Sequence, residues 1–327
     1  MNDKVLNWGL LSTAHINRAL ITPLRASKRN KLLAVGSRRQ KSADDYAREW
    51  KIPQAHGSYE ALIDNPEVDV IYNSLPNHLH AEWTIKALKA GKHVLCEKPF
   101  ALSLAEADAM ISAARKTGKV LAEAFMYRHH PQTLKVQELV DGGMLGELQA
   151  LKGVFTFALT RENDIRSKKE TGGGSIWDVG CYPISYARAI MRAEPIEAFG
   201  WQVMGAGGSD VSFFGQLRFP KDRYAQFDSG FKSPLRAQVE IVGSQGTLNI
   251  PEPFKPGSGE KLYLTRAERT ETIKIPGAEL YIGEVEDMAD AILLGKEPRI
   301  SLADSRGNTA VILALIESAA KGKPVLL

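Results

Sequence analysis

The chain has 327 residues, of which 44% are hydrophobic and 24% charged, with a net charge of +4. These values are close to those of an ordinary soluble globular protein, and the length favours two domains over one. No apolar run reaches the roughly 18 residues of a membrane span, and the two cysteines, Cys96 and Cys181, lie far apart without metal-ligand spacing. The Lys and Arg residues are scattered rather than gathered in a stripe with interleaved aromatics, so neither a membrane nor a nucleic acid is an expected partner.

The opening MNDKVLNWGLLS has no basic region followed by an apolar signal core, and a reducing, cytoplasmic setting is expected. Residues 4–11 (KVLNWGLL) read as a strand and 15–26 as a helix, because Ile16, Ala19, Leu20 and Leu24 recur at helical spacing. Residues 31–36 form a second strand and 41–50 a second helix. Residues 68–75 (VDVIYNSL) are apolar enough for a strand buried on both faces. A helix over 78–90 stops at Gly91, and residues 93–97 (HVLCE) are a fourth strand. The helix over 103–116 opens on a capping-box spacing of Ser103 and Glu106 and ends at Gly118. Residues 119–125 complete a fifth strand.

Strands alternating with helices across short loops predict right-handed crossovers and a doubly wound parallel sheet, a Rossmann-type dinucleotide-binding domain over residues 1–125. The rhythm then changes. Strands are expected over 148–159, 196–204, 211–219, 224–231, 238–242 and 247–250. A Gly-rich loop and helix lie over 172–191, and two helices over 282–294 and 302–320. Residues 126–327 therefore read as an α+β domain with a large, mostly antiparallel open sheet, suited to substrate binding and self-association.

Ligands of an open α/β sheet bind beyond the carboxyl ends of its strands. That rule selects Ser12-Thr13-Ala14-His15-Ile16, Ser37-Arg38-Arg39, Pro76-Asn77-His78, Glu97-Lys98-Pro99 and Met126-Tyr127-Arg128. The first must accept a pyrophosphate. Its glycine fingerprint is replaced by Ser12-x-Ala14-x-x-Asn17, which also suits an ordinary strand-to-helix turn. After the second strand, where an acid would hold the ribose of NAD, stand a hydroxyl and two guanidiniums. They suit a 2′-phosphate and favour NADP, unless Arg38 and Arg39 are plain surface charges. Lys98 at a strand end is either a solvated turn residue or a cation placed to hydrogen-bond a reacting hydroxyl. Pro99 can fix the backbone beside it through a cis peptide.

Glu97-Lys98-Pro99, Pro76-Asn77-x-x-His80 and Asp178-x-Gly180-x-Tyr182 together resemble the Gfo/Idh/MocA oxidoreductases. Glu123 to Pro131 (EAFMYRHHP) and Trp177 to Pro183 (WDVGCYP) are similar to its NADP-dependent D-xylose dehydrogenases and dimeric dihydrodiol dehydrogenases. The resemblance spans essentially the whole chain. It implies hydride transfer between NADP, with NAD second, and a sugar, polyol or trans-dihydrodiol. It implies Lys98, Asp178 and Tyr182 as catalytic residues, and a Tyr where the family more often has His. Cofactor contacts are then expected from Ser12 to Ile16, Ser37 to Arg39, Leu75 to Asn77, His80, Glu97 to Pro99 and Arg128. Tyr127, Arg161, Asp178 and Tyr182 are the substrate candidates, with Arg166 a weaker one.

A phenol with a pKa of about 10 can exchange a proton with an alcohol when a neighbouring cation lowers that value. Tyr182 is thus expected to act as general acid/base, Lys98 to stabilise the developing alkoxide and Asp178 to position sugar or Lys98, across the seam between domains. The bland alternatives are a core tyrosine at 182 and a helix N-cap at 178. His129 with His130, and His78 with His80, lack convergent partners for a metal, and none is expected. Two other functions compete: a nucleotide-binding regulator without turnover, and a nicotinamide-dependent glycosidase with no net redox change. A homo-dimer or homo-tetramer through the second-domain sheet is expected.

Overall fold

The computed structural model describes residues 4–161 and 163–327. Its first part runs β1 (Leu6–Leu11), α1 (Asn17–Ala26), β2 (Asn30–Gly36), α2 (Gln40–Trp50), β3 (Gln54–His56), α3 (Tyr59–Ile63), β4 (Val70–Asn73), α4 (His80–Lys89), β5 (His93–Glu97), α5 (Leu104–Thr117) and β6 (Leu121–Ala124). The strands form one sheet in the order β3-β2-β1-β4-β5-β6, and every pairing is parallel. The order reverses between β1 and β4, which makes their ends the topological switch point of a Rossmann sheet.

Local sequence explains these elements. All four residues of β4 are buried, as burial on both faces requires. Ser103 Oγ accepts from Glu106 N at 3.2 Å, and the Glu106 carboxylate takes Leu102 N at 2.9 Å. The expected capping box thus forms, with its acid reaching one residue further back. Gly118 closes α5 at a φ of 64°. The strand β3 and the single-turn helix α3 have no counterpart in the sequence reading, because three and five residues are too short to show a period.

The remainder runs α6 (Pro131–Asp141), β7 (Leu148–Thr156), a π-helical turn (Ile176–Gly180) leading directly into α7 (Cys181–Met191), β8 (Glu197–Met204), β9 (Asp210–Phe219), β10 (Arg223–Gly230), β11 (Arg236–Gly243), β12 (Gly246–Ile250), β13 (Lys261–Arg266), β14 (Arg269–Lys274), α8 (Ile282–Leu294), α9 (Leu302–Lys321) and β15 (Val325–Leu326). Nine strands form a second sheet, ordered β14-β13-β12-β11-β7-β10-β9-β8-β15. It is antiparallel except where β7 and β10 run side by side.

The chain forms two compact units. One is the chain up to His129 together with Tyr281–Arg306; the other is His130–Leu280 with Gly307–Leu327. A division at residue 125 in chain order therefore leaves α8 on the wrong side. The reason is packing: Val285, Met288 and Ala289 of α8 share one apolar cluster with Trp8, Leu20, Leu24 and Tyr72. Arg29 then ties the helix down, its Nε donating to Glu286 Oε2 at 2.8 Å. The other face of the parallel sheet is covered by a separate cluster that includes Leu62, Ile71, Val94, Phe100 and Met110.

Candidate active site

In the first unit the strand ends are stitched to one another. Ser12 follows β1 with a φ of 139°, a conformation that favours glycine. Its side chain offsets that strain locally: Ser12 Oγ accepts from Ala14 N at 3.0 Å and lies 2.9 Å from Ser74 Oγ, past the end of β4. Asn17 Nδ2 donates back to the Ser12 carbonyl at 2.7 Å. The serine therefore makes the tight turn that a fingerprint glycine makes elsewhere, and the small Ala14 and buried Asn17 let α1 begin close to the sheet. Thr13, Ala14 and Ile16 are half-buried and His15 is exposed, so this turn is accessible to a ligand at the helix N-terminus.

Past β2, Ser37 is buried and donates its N–H to the His56 carbonyl at 2.9 Å, while Arg38 and Arg39 are exposed. Arg38 hydrogen-bonds the Tyr59 hydroxyl; burial raises that phenol's pKa and the guanidinium pulls it partly back. No acid follows β2 where an NAD ribose would want one; two exposed cations and a hydroxyl do. That donor set fits the 2′-phosphate of NADP.

The end of β5 carries Lys98, half-buried, joined to Pro99 by a cis peptide. Glu97 before it is held from below. The fully buried Tyr72 donates its hydroxyl to Glu97 Oε1, and Lys98 N donates to Glu97 Oε2 at 3.2 Å. Burial, followed by the charges of Glu97 and Glu284, raises the Tyr72 pKa and keeps it the donor. Phe100 N donates to Glu123 Oε1 at 2.9 Å, linking the ends of β5 and β6.

In the second unit Asp178 lies on the π-helical turn and Tyr182 four residues later in α7, so one continuous helical stretch carries both. A π-turn spliced onto a helix often marks a functional position. Asp178 is not the N-cap: Ser175 Oγ and Ile176 N both donate to Asp210 instead. The Asp178 carboxylate receives Arg166 Nε at 2.9 Å. The Tyr182 ring is 4% exposed and lies in an aromatic cluster, 5.3 Å from Phe155 edge to face and 5.6 Å from Phe254. Phe155 and Phe254 were not legible as site residues, since each looks like any core aromatic in sequence.

Three expected contact residues are placed otherwise. His80 is fully enclosed: its Nδ1 lies 2.8 Å from the Pro99 carbonyl and its Nε2 2.8 Å from the Leu75 carbonyl. It therefore braces the ends of β4 and β5 rather than presenting an edge to a ligand. Burial, outweighing those two carbonyls, lowers its pKa to about 4. Tyr127 is fully buried against Phe125, so its ring packs instead of facing a substrate. Arg128 is 7% exposed and pairs with Asp304 at 3.0 Å. Arg161 is exposed on the loop past β7. Among the described residues, no three or more His, Cys, Asp or Glu side chains are grouped to hold a metal ion.

Two grooves, of about 410 and 330 Å³, cross the open face of the nine-stranded sheet. Lys152 of β7 lines both and Val154 the larger, whereas Phe155, which packs Tyr182, points to the opposite face by strand alternation. The grooves are thus separate from the Asp178–Tyr182 stretch.

Residues 6–125 match the family described as "Oxidoreductase family, NAD-binding Rossmann fold", and residues 133–249 match the "GFO/IDH/MocA C-terminal domain". Along nearly the full chain it is 34% identical to D-xylose 1-dehydrogenase (NADP(+)) 2 of Haloferax volcanii, over 98% of this chain and 99% of that protein. The chain belongs to the Gfo/Idh/MocA oxidoreductase family. Another member, trans-1,2-dihydrobenzene-1,2-diol dehydrogenase of Danio rerio, is 31% identical over 75% of this chain and 74% of its own length. The crystal structure of a 3-ketoreductase from Actinomadura kijaniata, in complex with NADP and TDP-benzene, superposes with a TM-score of 0.91 at 29% identity. It covers 96% of this chain and 98% of that one. These relatives bear out the family resemblance read from the motifs.

Proposed function

We propose that this Gfo/Idh/MocA oxidoreductase is NADP-dependent and interconverts an alcohol and a carbonyl on a sugar, polyol or diol. The observation that carries the cofactor choice is the end of β2, where Ser37, Arg38 and Arg39 stand in place of an acid. The NADP-dependent relatives support it. Ser12 to Ile16 would hold the pyrophosphate at the N-terminus of α1. Ser37, Arg38 and Arg39 would hold the 2′-phosphate, and Leu75 to Asn77 with Glu97 to Pro99 the nicotinamide side. Bound there, the nicotinamide supplies hydride donor and acceptor chemistry.

The remaining work falls to side chains of this chain. Tyr182 Oη removes the hydroxyl proton during oxidation and returns it during reduction. Lys98 is assigned to stabilise the developing alkoxide, and a neighbouring cation of this kind favours the phenolate, the form that accepts the proton. The Asp178 carboxylate accepts a second substrate hydroxyl and fixes the orientation of the ring being oxidised. The aromatic packing around Tyr182 restricts its ring, so the proton is exchanged at one position.

We assign dinucleotide binding to the first unit, and substrate binding and self-association to the second. Trp201, Phe214 and Tyr224 are 55%, 47% and 50% exposed on the second sheet, an apolar strip that suits a homo-dimer or homo-tetramer. Cys96 and Cys181 are buried without a disulfide, which suits the cytoplasm. No helix of the described residues is long and apolar enough to cross a membrane.

The test is absorbance at the reduced-nicotinamide band, with NADP and NAD each offered aldoses, inositols and small diols. Turnover with NADP and release of NADPH is expected. A preference for NAD would overturn the reading of Arg38 and Arg39, and turnover without release of reduced cofactor would overturn net oxidation.

A further inference from the structure

Asp178 has a guanidinium partner that is itself held in place. Arg166 Nε donates to Asp178 Oδ2 at 2.9 Å, and Arg166 Nη1 lies 3.2 and 3.4 Å from the two oxygens of Asp164. Asp164 Oδ1 also accepts the Arg166 backbone N–H at 2.9 Å. One acid thus holds both the backbone and the head of the arginine, and the head is offered to a second acid. The Asp164 and Asp178 side chains are 7% and 18% exposed, so both charges are largely withdrawn from water and gain from a cation placed beside them.

The segment bearing Arg166 is closed on itself. Ser167 Oγ donates to the Asp164 carbonyl at 2.8 Å, Gly173 N to the Lys168 carbonyl at 2.9 Å, and Gly174 N to the Arg166 carbonyl at 2.8 Å. Glycine is required here. A Cβ at Gly173 would meet the Arg166 carbonyl oxygen at 2.5 Å, and one at Gly174 would meet Asp210 Oδ1 at 2.3 Å. The run Gly172-Gly173-Gly174 is therefore what lets residues 164–171 fold onto the π-helical turn and deliver Arg166 to Asp178.

We infer that Arg166 is a positioning residue for the reaction, holding Asp178 charged and in one orientation a turn before Tyr182. This rests on the assignment of Asp178 and Tyr182 made above. A cation within hydrogen-bonding distance favours the ionised carboxylate, and a bond to one oxygen restricts its rotamer. Around this turn, Asp210 on β9 is engaged by Ser175 and Ile176, Ser229 Oγ on β10 lies 3.2 Å from Ser175 Oγ, and Cys181 Sγ lies 3.6 Å from the Asp178 carbonyl oxygen.

The experiment uses the full chain with saturating NADP or NADPH and compares R166M, R166K, D178N, Y182F and the double variant R166M/D178N. R166M is expected to lower kcat/KM about 10- to 100-fold, as loss of a charge-assisted pair implies. The acidic limb of its pH profile should move to higher pH, because Asp178 loses the cation that favours its charged form. R166K should recover most of the loss. The double variant should be no worse than D178N alone, since Arg166 acts through Asp178. NADPH affinity, read by fluorescence, should be unchanged throughout. Wild-type kcat/KM and pH limb in R166M, or a multiplicative loss in the double variant, would overturn the inference. If R166M does not fold, R166Q takes its place in the cycle under the same criteria. Full activity in D178N and Y182F would instead refute the underlying site assignment, so the two failures are distinct.

Discussion

Phe254 is one of the aromatic residues packed against Tyr182, and its truncation tests how far the placement of that tyrosine depends on it. It lies outside every strand and helix, between β12 and β13, yet is fully buried. Its ring stacks on Phe155 at 5.1 Å and 17°, lies 5.6 Å from Tyr182 and meets Tyr186 edge to face at 6.1 Å. Removing a buried phenyl forfeits about 1.5–3 kcal/mol of transfer free energy. Each lost ring pair adds about 0.5–1.5 kcal/mol, and the cavity brings Phe→Ala changes to about 3–5 kcal/mol in total. With three aromatic partners F254A belongs near the middle of that range, about 4 kcal/mol. At about 2–4 °C per kcal/mol for a unit of this size, Tm should fall by roughly 8–16 °C. F254L keeps most of the apolar volume and should cost about 1–2 kcal/mol. Differential scanning calorimetry gives both values, and steady-state rates on folded F254L should show a lower kcat with unchanged NADPH affinity. A Tm of F254A within 2 °C of wild type would refute the packing argument.

Other outcomes follow from the same geometry. K98M and Y182F should each lower kcat/KM by about 10²–10⁴-fold, with Y182F leaving NADPH binding intact in a fluorescence titration. R38A/R39A should weaken NADPH about 10- to 30-fold, the lower part of the range for hydrogen bonds to charged groups at an exposed site, while NADH affinity changes little; equal losses for both cofactors would count against a 2′-phosphate site. Burial lowers the His80 pKa to about 4 in the folded chain, against 6.5 for a free imidazole. The unfolded chain therefore binds the extra proton first, so stability is fully present above pH 6.5 and is lost as pH falls toward 4. The loss from this one group is roughly 3 kcal/mol, read from denaturant midpoints across that window; a flat profile would contradict it.

The sequence by itself determined the alternating half of this protein and the strand ends from which its candidate site is built. Periods of 2 and 3.6, glycine stops and the Ser103–Glu106 cap are local signals, and the crossover rule turns them into a parallel sheet with known strand ends. Ser12, Ser37 to Arg39 and Lys98 were legible because a strand end is defined by the chain around it. Tertiary structure decided what lies behind those ends. His80 and Tyr127 carry polar groups that suit a ligand, but packing encloses both, and enclosure depends on residues distant in sequence. The helix α8 follows the second sheet in the chain yet shares a core with Trp8, because its apolar face is complementary to α1 and β1 rather than to its sequence neighbours. The pairing of Arg166 with Asp178, twelve residues apart, needed the fold most of all: charge alone offers Arg166 several acids, and only the turn at Gly173 and Gly174 selects which one it meets.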